Sequence, residues 1–203
     1  MINFKANQLK KPRGIFGRYL FNKLEKFNLP IYEKTLEQIE IPPGDKILEI
    51  GYGTGRLINM IMNTYPGITM TGIDFSSTMH KRASCFNKTF IAAGTLTLHA
   101  CDFMQYDGPE NDFNTIIGLN VIYFFDLDMI NKIFSLLNPS GNAVLYMNDP
   151  EQLRQFGLGP AKAFHKHEIS DVISKMEQTG FRKIQQLPYT SSTENGFFII
   201  AIK

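Results

Sequence analysis

Glu49-Ile50-Gly51-Tyr52-Gly53-Thr54-Gly55 sets a carboxylate two residues ahead of three glycines at alternate positions. Glycines in such a run let the backbone turn tightly and approach a ligand without interference from Cβ atoms. Two ligand classes compete for a turn of this kind. A dinucleotide asks for G-x-G-x-x-G, with its pyrophosphate resting on a helix N-terminus; here the third glycine comes one residue early. Glu49 separates the two further. A carboxylate about 4 Å from a pyrophosphate costs on the order of 1–4 kcal/mol, depending on effective dielectric. Beside a sulfonium or an amino-acid ammonium the sign reverses. S-adenosylmethionine carries both cations and no phosphate, so the charge on Glu49 favours that cofactor.

A second carboxylate, Asp74, lies nineteen residues past Gly55. An acid at that separation accepts the two hydroxyl protons of a ribose. Nicotinamide dinucleotide sites share this device, so Asp74 supports an adenosine ligand without choosing between the two. Asp102-Phe103 offers an acceptor for an adenine amino group and a ring for stacking. Each also has a plainer reading: Asp74 as the cap of a following helix, Phe103 as ordinary core.

The elements that must position these residues follow from periodicity. Lys46–Ile50 reads as a buried strand, and Leu57, Ile58, Ile61, Met62 and Tyr65 mark one helix face that Pro66-Gly67 ends. Ile68–Asp74 is a second strand, with a helix opened by Ser76 or Ser77. Thr95–Cys101 and Phe113–Leu119 are the third and fourth strands. Ile130, Ile133, Phe134 and Leu137 trace a helix closed by Asn138-Pro139-Ser140-Gly141, before a fifth strand at Ala143–Met147. A helix through Ile169, Val172, Ile173 and Met176 stops at Gly180, and Lys183–Leu187 with Phe197–Ile202 form a hairpin. Strands alternating with helices predict an α/β, doubly wound, mainly parallel sheet.

Composition narrows the classes. The 203 residues predict one main domain, and 43% hydrophobic residues suffice for a core, which excludes a disordered chain. A net charge of +2 argues against a protein living on a nucleic-acid backbone. Two cysteines, Cys85 and Cys101, exclude a disulfide scaffold and read as buried free thiols. The absence of a long apolar run predicts a cytoplasmic protein without a membrane span. The charge is unevenly spread. Residues 1–34 hold eight Lys/Arg against two Glu, and the rest holds 13 basic against 17 acidic residues. Phe16, Leu20, Leu24 and Phe27 recur in this arm at helical spacing. We read residues 1–34 as a basic amphipathic arm, either a cap on the domain or a lid over its ligand, and residues 35–203 as the ligand-binding domain.

Four motifs together resemble the class I S-adenosylmethionine-dependent methyltransferases of the small single-domain kind. They are Ile47-Leu48-Glu49-Ile50-Gly51-Tyr52-Gly53-Thr54-Gly55, Gly72-Ile73-Asp74-Phe75-Ser76-Ser77-Thr78-Met79, Cys101-Asp102-Phe103 and Leu136-Leu137-Asn138-Pro139-Ser140-Gly141. The resemblance covers roughly residues 35–203. It implies a seven-stranded Rossmann-like α/β/α sheet whose last strand is antiparallel. It also implies that Glu49, Gly51, Gly53 and Gly55 hold the methionyl part, Asp74 the ribose, and Phe75 and Met79 the neighbourhood of the adenine. The family often has two glycines after the proline of the fourth motif, and Ser140 stands in place of the first.

The same resemblance puts the acceptor beside Asn120-Val121-Ile122-Tyr123. The Asn/Asp-Pro-Pro-aromatic signature of base amino-methylation is missing there, which argues against a DNA amino-methyltransferase. Asn120 is a candidate for hydrogen-bonding the cofactor or orienting a substrate, or a plain strand-end turn. Tyr123 lines the acceptor pocket or simply packs. His165 and His167 follow the fifth strand, where an imidazole suits a general base or an exposed loop. His80 and His99 read as structural. Asn120, Asn148 and Asp149 form a poor oxygen set for Mg²⁺, so no metal is expected. The connection between the fifth strand and His165 is short, which favours a small-molecule acceptor. The Lys and Arg of the arm fit an acidic one. A cofactor-binding protein without chemistry, and an RNA or protein methyltransferase, are the alternatives.

Overall fold

The computed structural model describes residues 14–149, 151, 165–191 and 194–203, the side chains of residues 14–24 and of Phe27 excepted. The apolar stripe through Phe16, Leu20, Leu24 and Phe27 therefore lies outside the described side chains, as does most of the stretch before His165. Contacts divide the chain into an N-terminal body over Lys11–Tyr106 and a C-terminal body over Asp107–Lys203.

The N-terminal body opens with helix α1 (Gly14–Gln38), longer than its apolar spacing predicts and continuous across the expected boundary at residue 34. Ile31 anchors it in the core at 1% exposure, and Glu25 pairs with Arg82 at 3.3 Å. Strand β1 (Lys46–Ile50) follows, then α2 (Arg56–Thr64), β2 (Thr69–Ile73), α3 (Ser77–Phe86), α4 (Lys88–Ala92) and β3 (Leu96–His99). β1 pairs in parallel with β2 from Lys46↔Thr69 to Ile50↔Ile73, and β2 with β3 from Met70↔Leu96 to Ile73↔His99. From Ile47 to Ile50 every residue of β1 is buried, the signature of a strand covered on both faces. Leu57, Ile58 and Ile61 of α2 are likewise buried, and each contributes about 2 kcal/mol through area removed from water. The Tyr65 hydroxyl, just past α2, donates to the Ile39 carbonyl at 2.9 Å.

The C-terminal body comprises β4 (Phe113–Leu119), α5 (Asp128–Leu136), β5 (Leu137–Asn148), α6 (Ile169–Thr179), β6 (Arg182–Thr190) and β7 (Asn195–Ile202). β4 and β5 are parallel, whereas β7 runs antiparallel to both β5 and β6. One expectation is corrected here. The stretch Asn138-Pro139-Ser140-Gly141 does not close the helix as a loop: α5 ends at Leu136, and Leu137 already pairs with Phe113 in β5. The next partners are Thr115↔Asn142, so β5 bulges over these residues. Pro139 has no N–H to donate, and Ser140 sits at φ 68°, so both leave the ladder. α6 starts at a Glu168–Asp171 capping box and stops at left-handed Gly180.

The strands form one seven-stranded α/β sheet of order β3-β2-β1-β4-β5-β7-β6, with helices around it. Among the described residues, no helix is long and apolar enough to cross a membrane. The two cysteines form no disulfide, and neither is buried as expected: Cys85 is exposed on α3 and Cys101 is half-buried.

Candidate functional site

β1 delivers the chain into the glycine turn, and all three glycines adopt positive φ: Gly51 at 75°, Gly53 at 51° and Gly55 at 74°. Two of them answer different needs. A Cβ on Gly53 would meet nothing within 4 Å, so that backbone faces open space. A Cβ on Gly55 would fall 2.5 Å from Asn87 Nδ2 and 2.9 Å from Ala83 Cβ, so this glycine admits α3. Asn87, almost wholly buried, latches the turn: its amide donates to the Gly55 carbonyl at 3.0 Å and accepts from Asn59 at 3.1 Å.

Glu49 sits beneath this turn at 4% exposure. The backbone N–H of Ile58, in the first turn of α2, donates to its carboxyl. Its Oε2 has no hydrogen-bond partner. Burial, and then the nearby charge of Asp74, push its pKa up to about 8. A buried oxygen acceptor without a donor is costly to keep, so this one fits a ligand that brings a cationic N–H.

Asp74 follows β2 and binds two backbone turns at once. Its Oδ2 accepts from Gly53 N–H at 2.9 Å and its Oδ1 from Ser76 N–H at 2.8 Å. Burial raises its pKa, against the lowering effect of those two bonds. It does not cap α3; Ser76 does, accepting from Met79 N–H at 3.4 Å. The remaining lone pairs of Asp74 suit a pair of ribose hydroxyls. Phe75 is half-buried and Met79 is buried. Beyond β3, Asp102 Oδ1 accepts from Met104 N–H at 2.8 Å and opens a single 3₁₀ turn, Phe103–Gln105, in which Phe103 is buried. In the N-terminal body, then, the fold gathers Glu49, the three glycines and Asp74 tightly, and sets Phe75, Met79, Asp102 and Phe103 on the segments after β2 and β3.

Asn120, Tyr123 and His165 belong to the C-terminal body. Asn120 ends β4 at φ 57°, a left-handed conformation that asparagine tolerates. Its backbone N–H donates to the Tyr146 carbonyl at 2.9 Å, while its Oδ1 has no partner. Tyr123 is buried in a 3₁₀ turn, Ile122–Phe124, and its hydroxyl donates to the Asn148 carbonyl at 3.1 Å. Burial raises its pKa well above the ordinary value, which keeps the hydroxyl protonated. His165 is exposed; its backbone N–H donates to the Tyr123 carbonyl at 2.7 Å, and its Nδ1 lies 3.1 Å from Asp126 Oδ1. His167 stacks on it at 5.6 Å, with its Nε2 2.8 Å from the Phe125 carbonyl. Among the described residues, no group of three or more His, Cys, Asp or Glu is placed to hold a metal ion.

Sequence reasoning missed three contributors. Tyr52, between the first two glycines, is buried, and its hydroxyl lies 3.0 Å from His80 Nδ1. Gly72 makes room for it, since a Cβ there would come within 2.7 Å of the Tyr52 ring. Asn87 gave no signal, because an asparagine ending a helix reads as a cap. Glu194 gave none either, because it stands in a polar hairpin turn, yet it is buried with Oε2 unpartnered.

Comparison with known proteins agrees with this geometry. A family model described as a methyltransferase domain matches residues 47–141. A Bacillus subtilis (strain 168) protein described as an uncharacterized methyltransferase, YdaC, is 25% identical over 153 residues, spanning 71% of this chain and 82% of that one. Phosphoethanolamine N-methyltransferase of Plasmodium falciparum (isolate 3D7) is 29% identical over 135 residues, covering 64% of this chain but 48% of its own. The chain thus spans about half the length of that relative. In fold, it is similar to a Haemonchus contortus phosphoethanolamine N-methyltransferase 2 solved with phosphomonomethylethanolamine and S-adenosylhomocysteine. That likeness has a TM-score of 0.78 at 14% identity, over 98% of this chain and 60% of the other. The strand order and the carboxylate-led glycine turn thus accompany a match to a methyltransferase domain over residues 47–141 and a fold similar to that of a solved methyltransferase.

Proposed function

We propose that this methyltransferase acts on a small-molecule acceptor in the cytosol, with Glu49 as the anchor of its cofactor. When bound, S-adenosylmethionine supplies a methyl group made electrophilic by its sulfonium. The observation that carries the reading is the unpartnered, buried Oε2 of Glu49 under the glycine turn. It matches the ammonium of the cofactor's methionyl end. Gly51, Gly53 and Gly55 keep Cβ atoms away from that end, and Asp74 accepts from the ribose hydroxyls. Asp102 accepts from the adenine amino group, with Phe75, Met79 and Phe103 as apolar surroundings, and Asn120 adds a hydrogen-bond acceptor.

In the C-terminal body, Tyr123 orients the acceptor through its fixed hydroxyl. His165, exposed beside Asp126, receives a proton where the acceptor must lose one. Methyl transfer itself asks mainly for alignment and exclusion of water, so no further machinery is required.

Calorimetry with S-adenosylmethionine, S-adenosylhomocysteine and nicotinamide dinucleotide, paired with transfer of a labelled methyl group to a small-molecule panel, RNA and bulk protein, tests this. Expected are uptake of the first two ligands, none of the third, and label in small molecules. Binding of the dinucleotide instead, or label confined to RNA or protein, overturns the proposal.

A further inference from the structure

We infer that the C-terminal body recognises a positively charged nitrogen on the acceptor, held by the Glu194 carboxylate beside the aromatic cluster of Tyr146, Tyr189 and Phe198. The inference deepens the methyl-transfer reading and rests on it for the word acceptor; the binding site itself is argued from this body alone.

The cluster follows from strand register. Tyr146 pairs with Phe198, and Asn148 with Gly196, which on its other side pairs with Tyr189. Directly paired residues, and residues two apart, project on the same face of a sheet. The contacts agree. Tyr146 meets Phe198 at 4.9 Å and Tyr189 at 5.9 Å between ring centroids, and its hydroxyl donates to Asn148 Oδ1 at 3.2 Å. A Cβ on Gly196 would lie 2.4 Å from the Tyr146 hydroxyl, so the missing side chain is what lets that ring in. Glu194, two residues before Gly196, brings its charge to bear on Tyr146 and Tyr123.

Among the described residues, the Glu194 carboxyl takes no part in closing its own turn. The turn it belongs to is closed by other atoms: Ser191 N–H donates to the Glu194 carbonyl at 2.8 Å, and Glu194 N–H to Ser191 Oγ at 3.0 Å. The side chain is nonetheless 8% exposed, with Oε2 unpartnered, and burial pushes its pKa up to about 7. The sign of the missing partner is decided by its neighbours. The hydroxyl protons of Tyr123 and Tyr146 are both committed to Asn148. Neither hydroxyl proton is therefore left over for Glu194. What the carboxylate lacks is a donor. A donor that is also cationic gains from the carboxylate and from ring faces together. An acidic acceptor would meet Glu194 as a like charge. The acidic acceptor expected from the arm rests on Lys and Arg that lie mostly outside the described side chains.

The test is calorimetry of benzylamine, N-methylbenzylamine, isopentylamine and ethanolamine against benzoate, isovalerate and phenol, on free and S-adenosylhomocysteine-loaded protein. Wild type should bind at least one amine and prefer it to the acid of the same shape. Glu194→Gln should weaken that amine tenfold or more and leave S-adenosylhomocysteine affinity unchanged, and Glu194→Asp should restore part of the loss. Equal amine binding by wild type and Glu194→Gln, no amine binding by wild type, or preference for the acids overturns the inference. Loss of S-adenosylhomocysteine binding in wild type would instead strike the methyltransferase reading, since amine binding is also read on the free protein.

Discussion

Burial first, and then the nearby charge of Asp74, make Glu49 a proton-linked ligand group. Its folded pKa, about 8, stands above the ordinary value of 4.5, so the folded chain holds a proton that the unfolded chain sheds. The sign follows: this contribution to stability is fully present below about 4.5 and is lost as pH rises through about 8. Without ligand, the thermal midpoint should therefore fall between pH 5 and pH 8, and Glu49→Gln should remove that share of the fall. A cationic ligand draws the carboxyl back to its ionised form. Binding of S-adenosylmethionine at pH 7 should accordingly release protons, visible as a calorimetric heat that differs between phosphate and Tris buffers. Removing the charge in Glu49→Gln should weaken the cofactor by about 1.5–3 kcal/mol, the range of a charge-assisted hydrogen bond.

At the scale of elements, the bulge of β5 carries a local conflict. Ser140 occupies the left-handed region at φ 68°, where an L side chain is strained and glycine is not. Ser140→Gly should therefore stabilise the protein by about 0.5–1 kcal/mol, read as a rise of a few degrees in thermal midpoint with cofactor affinity unchanged. Its neighbour behaves oppositely, because a Cβ on Gly141 would lie 2.9 Å from the Asn138 carbonyl. The same bulge explains an error of reading. Asn-Pro-Ser-Gly has every local mark of a loop, and nothing local reveals that Leu137 has already joined Phe113. β1 and β4, by contrast, were legible residue for residue, since each centres on adjacent buried apolar residues, Ile47-Leu48 and Ile116-Ile117. α4 escaped notice because its five residues bury nothing. Glu49, the three glycines and Asp74 could be singled out as cofactor candidates because glycines and acids at strand ends have few other reasons to coincide. Glu194 was not, because a polar residue in a hairpin turn reads as exposed and its burial comes only from tertiary packing.

At the scale of the whole molecule, the basic arm expected over residues 1–34 runs into α1. The last third of the helix, from Ile31 to Gln38, is fastened by the buried Ile31 and by Tyr65, while the lid expected from the sequence concerns the portion before it. Deleting residues 1–30 should lower turnover and acceptor affinity at least tenfold while cofactor binding and the circular-dichroism spectrum persist. Unchanged turnover would leave the arm as a simple cap.

The double grip of Asp74 has a corollary for anyone who probes this enzyme. One carboxylate rivets the glycine loop to the start of the next helix, so both loops are already in register before a nucleoside arrives, and little ordering entropy is left to lose on capture. Cutting that rivet frees the Gly53 backbone as well as the ribose contact. The affinity lost in Asp74→Ala should therefore exceed that caused by deleting a hydroxyl from the nucleoside, and the excess measures the loosened loop.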